Sequence, residues 1–425
     1  MVKDYLWLQM FTDYPWESAG TAEVNPVNVT TQDSMAVTMK TFYSKYLLQN
    51  VRENIIFTQF GKKEAIHGNT VEWRKFNTFP KALTPIEEAV IPTGRTFGMT
   101  NITASTNQYG DYVCISDRLE LESYDPVITG AVEEMGAAKS ATYDTLTRNI
   151  IVAGTAVLYA PIVSGGSETP VTVRTAITPD AKLTATVVNR AATWLKKNKA
   201  PKIDGSYIAI IHPSQAYDLR ESKGWLDAHE YAQPNEIYNG EIGKLHGVRF
   251  IEATETKVYK GKGLTEGSAN LTVKTEVSSS TTVAVKEAIT AADATALAGR
   301  TITVAGSSTE LTIASATAGA AGSASITLSA SASIAANKVL YPTGGGADNA
   351  AVYCALFMGK DAFAVVDPEG EGQEMYIKNR GEIGGPLEQF STVGYKFNHG
   401  AKILYPERLL RVETGSYYSD VDEEN

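Results

Sequence analysis

The sequence predicts an α+β protein with a small all-β domain set into its second half. Three observations lead there. Residues 123–159 carry a single helix-period pattern of unusual length. Residues 69–116 switch to two-residue alternation around a turn-rich middle. Between 263 and 347 the composition shifts to Ser, Thr, Ala, Gly and Val in short alternating runs.

At 425 residues the chain can bury one large core or two to three smaller ones. Its apolar and charged fractions are those of an ordinary globular protein. A formal net charge of −10 argues against a general nucleic-acid-binding surface and leaves room only for a local basic face. Cys114 and Cys354 stand far apart without metal-ligand spacing, so both are expected as small buried hydrophobes in a reducing compartment. Tyr5 to Phe11 is apolar, but too short for a membrane span, and no signal-peptide cleavage site follows cleanly. The chain is therefore expected to be soluble and made in a cytoplasm.

Residues 1–40 are polar with scattered aromatics (Trp7, Phe11, Tyr14, Trp16), which predicts an extended arm lying on another surface. A helical segment follows over 41–65, with Phe42, Tyr46, Leu47, Val51 and Ile55 on one face and Gly61 at its end. Over 66–116 the chain is expected to form an extended β-loop. Thr70 to Phe76 alternates, with Val71 and Trp73 on one side and Glu72 and Arg74 on the other. Pro80, Pro85, Pro92 and Gly94 mark the tip. Return strands run from about Phe97 to Thr106 and from Tyr112 to Ser116. A two-stranded ribbon with so few apolar residues has no private core, so it should lie against a neighbouring subunit.

The long helix is expected to be capped by Asp125, with Pro126 at its first turn. Ile128, Ala131, Met135, Ala138, Leu146, Ile150 and Ala153 form its apolar stripe. Roughly 28 residues would span about 42 Å, the width of a small domain. A Gly/Ser loop (163–169) and a second amphipathic helix over 178–198 complete the 117–199 region, Thr178 capping that helix ahead of Pro179. An α+β texture then occupies 200–262 and 348–415, with Ser206 to His212 and Val248 to Glu252 as buried strands and a short helix from Pro213 to Glu221. In the inserted β-domain, 263–347, strands are expected near Thr301, Glu310, Ser325 and Lys338. The tail 416–425 is acidic and expected to be solvated.

No nucleophile motif, phosphate loop, dinucleotide fingerprint or zinc spacing is present. The five histidines (His67, His212, His229, His246, His399) are scattered singly, which reads as structural or surface placement. The sequence thus proposes no reaction, no metal and no cofactor.

Several stretches, in order, resemble a known family. They are Phe42-Tyr-Ser-Lys-Tyr-Leu-Leu with Gln59-Phe-Gly-Lys-Lys, Thr70-Val-Glu-Trp-Arg-Lys-Phe with Pro80-Lys-Ala-Leu-Thr-Pro, and Asn107-Gln-Tyr-Gly-Asp-Tyr-Val with Ser116-Asp. Asp125-Pro-Val-Ile-Thr, Asp144-Thr-Leu-Thr-Arg, the run from Gly240 to Glu252 and Val393-Gly-Tyr-Lys-Phe continue the series. Together they resemble the tailed-bacteriophage major capsid proteins, over roughly 40–260 and 350–415. The resemblance implies the Hong Kong 97-type capsid fold: N-terminal arm, extended β-loop, peripheral domain with a long spine helix at 123–159, and axial domain, here with an inserted small β-domain.

That resemblance implies a self-assembling icosahedral shell of hexamers and pentamers enclosing double-stranded DNA. Portal, scaffold or decoration proteins would be partners, with DNA in non-specific contact. The chain would be assembled in the host bacterial cytoplasm and reside in the virion. Expected inter-subunit contacts are Trp73, Arg74, Phe76, Phe79 and Arg95 on the ribbon. Glu133, Glu134, Lys139 and Arg148 would serve on the spine helix, whose Ala-rich face would lie on its own sheet. The rival readings are an encapsulin-like compartment shell, which would lack the inserted β-domain and the long arm, and a β-rich surface adhesin, which should carry a secretion signal.

Overall fold

Two uninterrupted apolar runs, Tyr207–Ile211 and Val352–Met358, are buried at every residue. Such runs suit central strands covered on both faces. They lie side by side in a seven-stranded mixed sheet, ordered Lys244–Leu245, Val248–Glu252, Tyr207–Ile211, Val352–Met358, Leu409–Thr414, Val157–Tyr159, with Val258–Tyr259 also paired to Val352–Met358. The computed structural model describes residues 27–28, 55–66, 70–83, 85, 91, 94–123, 126–222, 243–368, 374–379, 382 and 389–425.

The chain divides into two compact units. In the first, built on 110–136 and 375–396, Val27–Asn28 pairs in parallel with Cys114 and Ile115. Asn107–Ser116 pairs with Phe390–Ile403, which also carries Glu374–Lys378. Ser116 caps the short helix Asp117–Glu122, its Oγ accepting from Leu119 N at 3.3 Å. The rest of the expected arm lies outside the described residues.

The second unit holds the seven-stranded sheet. Helix Ala185–Lys197 lays Val187, Val188, Ala191, Ala192 and Leu195 onto it. Burying each of the larger aliphatic side chains contributes about 1.5–3 kcal/mol. This helix starts seven residues later than the 178–198 pattern suggests. Residues 178–184 form a buried turn instead, with Ala181 N donating to Thr178 O and Ile177, Ala181 and Leu183 fully inside. Helix Pro213–Arg220 is capped reciprocally: His212 Nδ1 accepts from Ser214 N at 3.2 Å, and Gln215 Oε1 accepts from His212 N at 3.1 Å. Buried Glu413 receives Arg174 Nε at 2.7 Å and Nη2 at 2.6 Å, and the Arg174 guanidinium lies 3.6 Å over the Tyr259 ring. Cys354 is fully buried, its thiol pushed up to about 12 by burial, whereas Cys114 is only half-buried.

Residues 271–342 form a six-stranded antiparallel sheet, ordered Leu271–Thr272, Val339–Pro342, Thr301–Val304, Glu310–Thr317, Ser325–Ile334, Val277–Ala284. Its two edges meet. Lys274 N donates to Ala284 O at 2.8 Å and Lys286 N to Thr272 O at 2.9 Å, closing a barrel. Register shifts between Val277 and Thr282 and at Ile313/Ser315 supply the bends that closure needs. The small Ser/Thr/Ala strands enclose a core of their own, including Val283, Ile302, Ile313, Ile326 and Leu340. Helix Ala291–Leu297 begins with a capping box of Thr290 and Asp293. At the stem, Asn349 Oδ1 accepts from Gly261 N at 2.6 Å and Nδ2 donates to Gly261 O at 3.0 Å. Gly344, with φ +137°, lies against Gly261, where a side chain would meet backbone.

The tail is exposed along most of its length, Asp420, Glu423 and Glu424 among its exposed residues, yet it is also anchored at three points. Tyr353 Oη donates to Asp422 Oδ2 at 2.6 Å, Ala351 N to Asp420 O at 2.9 Å, and Val258 N to Asn425 Oδ1 at 3.0 Å. Charge patterning carries no information about which carboxylate has a partner, so the role of Asp422 was not legible.

Candidate assembly surface

Before the ribbon comes its root. The helical segment expected over 41–65 is not what the described part shows: Phe57–Phe60 is one 3-10 turn and Lys62–Ile66 a strand, while residues 41–54 lie outside the described residues. The turn has no cap of its own. Asp144 supplies one from the long helix: its Oδ2 accepts from Ile56 N at 2.9 Å and Phe57 N at 3.3 Å, and its Oδ1 from Thr58 N at 3.1 Å and Thr58 Oγ1 at 3.0 Å. The next strand pairs in parallel with Phe363–Pro368, from Lys62↔Ala364 onward.

The ribbon itself pairs Thr70–Phe76 with Met99–Ser105, seven residues in register, about 23 Å of ladder. Among the described residues no other strand joins it. Trp73 is half-buried and turned to the root, Nε1 donating to Glu64 Oε2 at 2.5 Å. Lys75, two residues further along the same face, fastens it too, Nζ lying 2.8 Å from Glu407 Oε1 and 4.4 Å from the centre of the Tyr405 ring. Toward the tip, Phe97 stacks between Phe76 at 4.6 Å and Phe79 at 5.5 Å. These three rings remain 59%, 50% and 60% exposed for Phe76, Phe79 and Phe97. Leu83, Ile91 and Met99 add further exposed apolar surface. Arg95 donates to Pro80 O, tying the tip together, and exposed Arg74 faces Glu72 at 3.5 Å. The stacked rings thus leave apolar surface uncovered on a ribbon too thin to bury it.

The long helix runs Val127–Val152. Its buried stripe is Met135, Lys139, Tyr143, Asp144, Thr147, Arg148, Ile151 and Val152, whereas Ala138 and Ala141 are exposed. The Ala-rich face is therefore not the inner one. Two of the expected contact residues are corrected by this. Arg148, 2% exposed, donates Nη1 to Glu255 O at 2.8 Å and its Nε and Nη2 to Asn149 Oδ1. Lys139 is also inside, and burial pulls its ammonium below the usual lysine range. Glu134 is exposed and Glu133 half-buried. Thr147 Oγ1 lies 2.9 Å from His399 Nε2, in a ring cluster with Tyr143, Tyr109 and Phe397. Burial there lowers His399 to about 4, so the imidazole is neutral at pH 7. Among the described residues no cluster of His, Cys, Asp and Glu could hold a metal ion.

A family model described as phage capsid protein matches residues 100–257, which hold the long helix, the Ala185–Lys197 helix and the strands Tyr207–Ile211 and Val248–Glu252. Three solved structures match nearly end to end. The capsid of cyanophage P-SCSP1u is 14% identical, with 93% of this chain and 100% of that chain covered and a TM-score of 0.54. The capsid of Ralstonia phage GP4 is 12% identical, covering 96% and 100%, at 0.53. The cyanophage Pam1 capsid is 11% identical, covering 91% and 98%, at 0.55. The fold is that of a phage capsid subunit. No curated protein matches the chain by sequence. Phe97 lies two residues before the return strand Met99–Ser105, whose Met99 is the partner of Phe76, so alternation alone did not single it out. Asp144 gave no periodic signal, because a polar residue inside a helix reads as outward-facing.

Proposed function

We propose that this chain is the major capsid protein of a tailed bacteriophage, self-assembling into the icosahedral head shell around a double-stranded DNA genome. The observation that carries the reading is the ribbon tip: Phe76, Phe79 and Phe97 form an exposed stack, a face suited to burial against a neighbouring subunit. Shell tiling works through repeated contacts between different patches, and a projecting ribbon supplies such a patch without demanding a large core face. The Hong Kong 97-type assignment is supported by the order ribbon, long helix, mixed sheet. The division into arm, extended loop, peripheral domain and axial domain follows that assignment. Phe76, Phe79, Phe97, Arg74 and Arg95 are the ribbon contacts; Trp73 holds the ribbon to its root. Glu133 and Glu134 remain candidates on the long helix.

The barrel is the part with no counterpart in the basic plan. Its closed sheet, separate core and adjoining stems support an inserted domain, with decoration or host-surface contact as its role. Hexamers and pentamers, a portal, a scaffold and assembly in the host cytoplasm belong to the same reading. Electron micrographs of the purified protein test it: closed particles are expected, and a chain that stays monomeric under every assembly condition would sink it.

A further inference from the structure

Five exposed lysines of this acidic chain come together at one end of the central sheet in the second unit. Helix Ala185–Lys197 ends in Lys196 and Lys197, both exposed. Cations suit a helix C-terminus, which accounts for those two. It does not account for what surrounds them. The chain turns through Lys199, at φ +55°, to Lys202, and both are exposed. The turn after Val352–Met358 comes alongside: Lys360 N donates to Pro201 O at 2.9 Å, and Gly359 N to Arg408 O at 2.9 Å. Arg408 Nη1 donates to Lys360 O at 3.1 Å, while its guanidinium lies 3.8 Å over Tyr405. Backbone hydrogen bonds thus hold three separate stretches as one surface.

That surface carries Lys196, Lys197, Lys199, Lys202 and Lys360, all exposed. None of the five takes part in an ion pair among the described residues. Asp204 and Asp361 share the turns, and Glu407 is already held by Lys75 at 2.8 Å. No large apolar side chain is exposed in these stretches.

We infer that this patch contacts the phosphate backbone of duplex DNA. Interfaces with proteins are anchored by buried aromatic or apolar side chains, and this patch offers none. Exposed lysine ammoniums outside the ion pairs of the described residues, only Lys202 lying near a ring (Tyr207, 5.8 Å), match a polyanion bound by charge. A chain of net charge −10 repels DNA as a whole, so contact must fall on a local cationic face. The choice of DNA as the polyanion rests on the shell reading; an acidic protein is the alternative that the test separates.

The purified subunit would be titrated with a fluorescently labelled random-sequence duplex between 50 and 200 mM salt. Five phosphate contacts should weaken binding about 500-fold over that range, and a Lys197→Gln/Lys202→Gln/Lys360→Gln variant, left with two, only about tenfold. A charge-matched variant elsewhere, Lys262→Gln/Lys378→Gln/Lys396→Gln, should keep the wild-type salt dependence. Equal salt dependence in wild type and patch variant overturns the proposal, as does an equal loss in the charge-matched variant. Binding of polyglutamate, but not duplex, through the same lysines overturns it in favour of an acidic protein. Particle formation is scored separately by electron microscopy: patch variants should still form shells. Failure of the wild type to assemble would strike the shell reading while leaving the DNA titration intact.

Discussion

Asp144 sits in the middle of a helix, 5% exposed, where its own helix offers it nothing. Its value lies across the interior, in the four hydrogen bonds that it accepts from Ile56, Phe57 and Thr58. Asp144→Ala would leave buried donors unpaired, so a loss of about 2–4 kcal/mol is expected, read as a fall in the urea midpoint with unchanged slope. Asp144→Asn should cost less, because one amide oxygen still accepts. His399 makes a pH prediction. Its folded-state value near 4 lies below the ordinary histidine value of 6.5, so an unfolded chain takes up the proton first as pH falls. Stability is full above about pH 6.5 and declines toward pH 4, by up to about 3 kcal/mol. His399→Phe should flatten that part of the profile in pH-dependent denaturation; an unchanged slope would assign the acid sensitivity to other groups. Neither role was legible in the sequence. Helical periodicity picks out apolar residues, and here the buried stripe alternates Tyr143–Asp144, Thr147–Arg148 and Ile151–Val152, its polar members admitted because each finds a partner.

The ribbon was far more legible. Two-residue alternation from Thr70 to Phe76 gave strand, face and approximate length, since the side-chain period of a strand is fixed by its geometry. The burial pattern follows it, Val71 inward and Phe76 outward. What alternation could not show was the stacking, because that depends on a return strand whose register the turn sets. Replacing Phe76 and Phe97 by Ser should leave the subunit's circular dichroism and thermal midpoint almost unchanged, since both rings are already largely exposed. Assembly should fall at least tenfold in particle yield by sedimentation. Deleting residues 80–95 should do the same, and shells forming at wild-type yield would dismiss the ribbon as the contact. The short helix from Pro213 was legible to within a residue. The long helix ended at Val152 rather than at 159, and the described part of 41–65 gave a 3-10 turn and a strand. At 178–184 Pro179 suggested a first turn and the chain made a bend instead.

At the scale of the molecule, the composition change near 263 announced the barrel, and its Ile, Val and Leu spacing gave the strands near Thr301, Glu310, Ser325 and Lys338. The strand Val277–Ala284 was hidden, its run of Ser and Thr offering only Val277 and Val283 to the core. In the tail the solvated reading fits Asp420, Glu423 and Glu424, which are exposed, and missed only Asp422, whose carboxylate accepts from Tyr353 and Ser419. Because Gly261 and Gly344 adjoin, residues 263–343 should be replaceable by a short glycine linker. Particles from that variant should keep their diameter, and loss of shells would make the barrel a clamp instead.

Those adjoining stems also bear on the order in which the chain folds. Val258–Tyr259 pairs with Val352 and Tyr353, so the central sheet must close a loop of about ninety residues to form that pairing. With the barrel already folded, the loop is in effect only a few residues long, which lowers the closure entropy by roughly 3 kcal/mol. Formation of the central sheet should then wait on the barrel. In refolding experiments a barrel weakened by Ile313→Ala should delay burial of Trp194 beside the sheet, although the two never touch across a shared core.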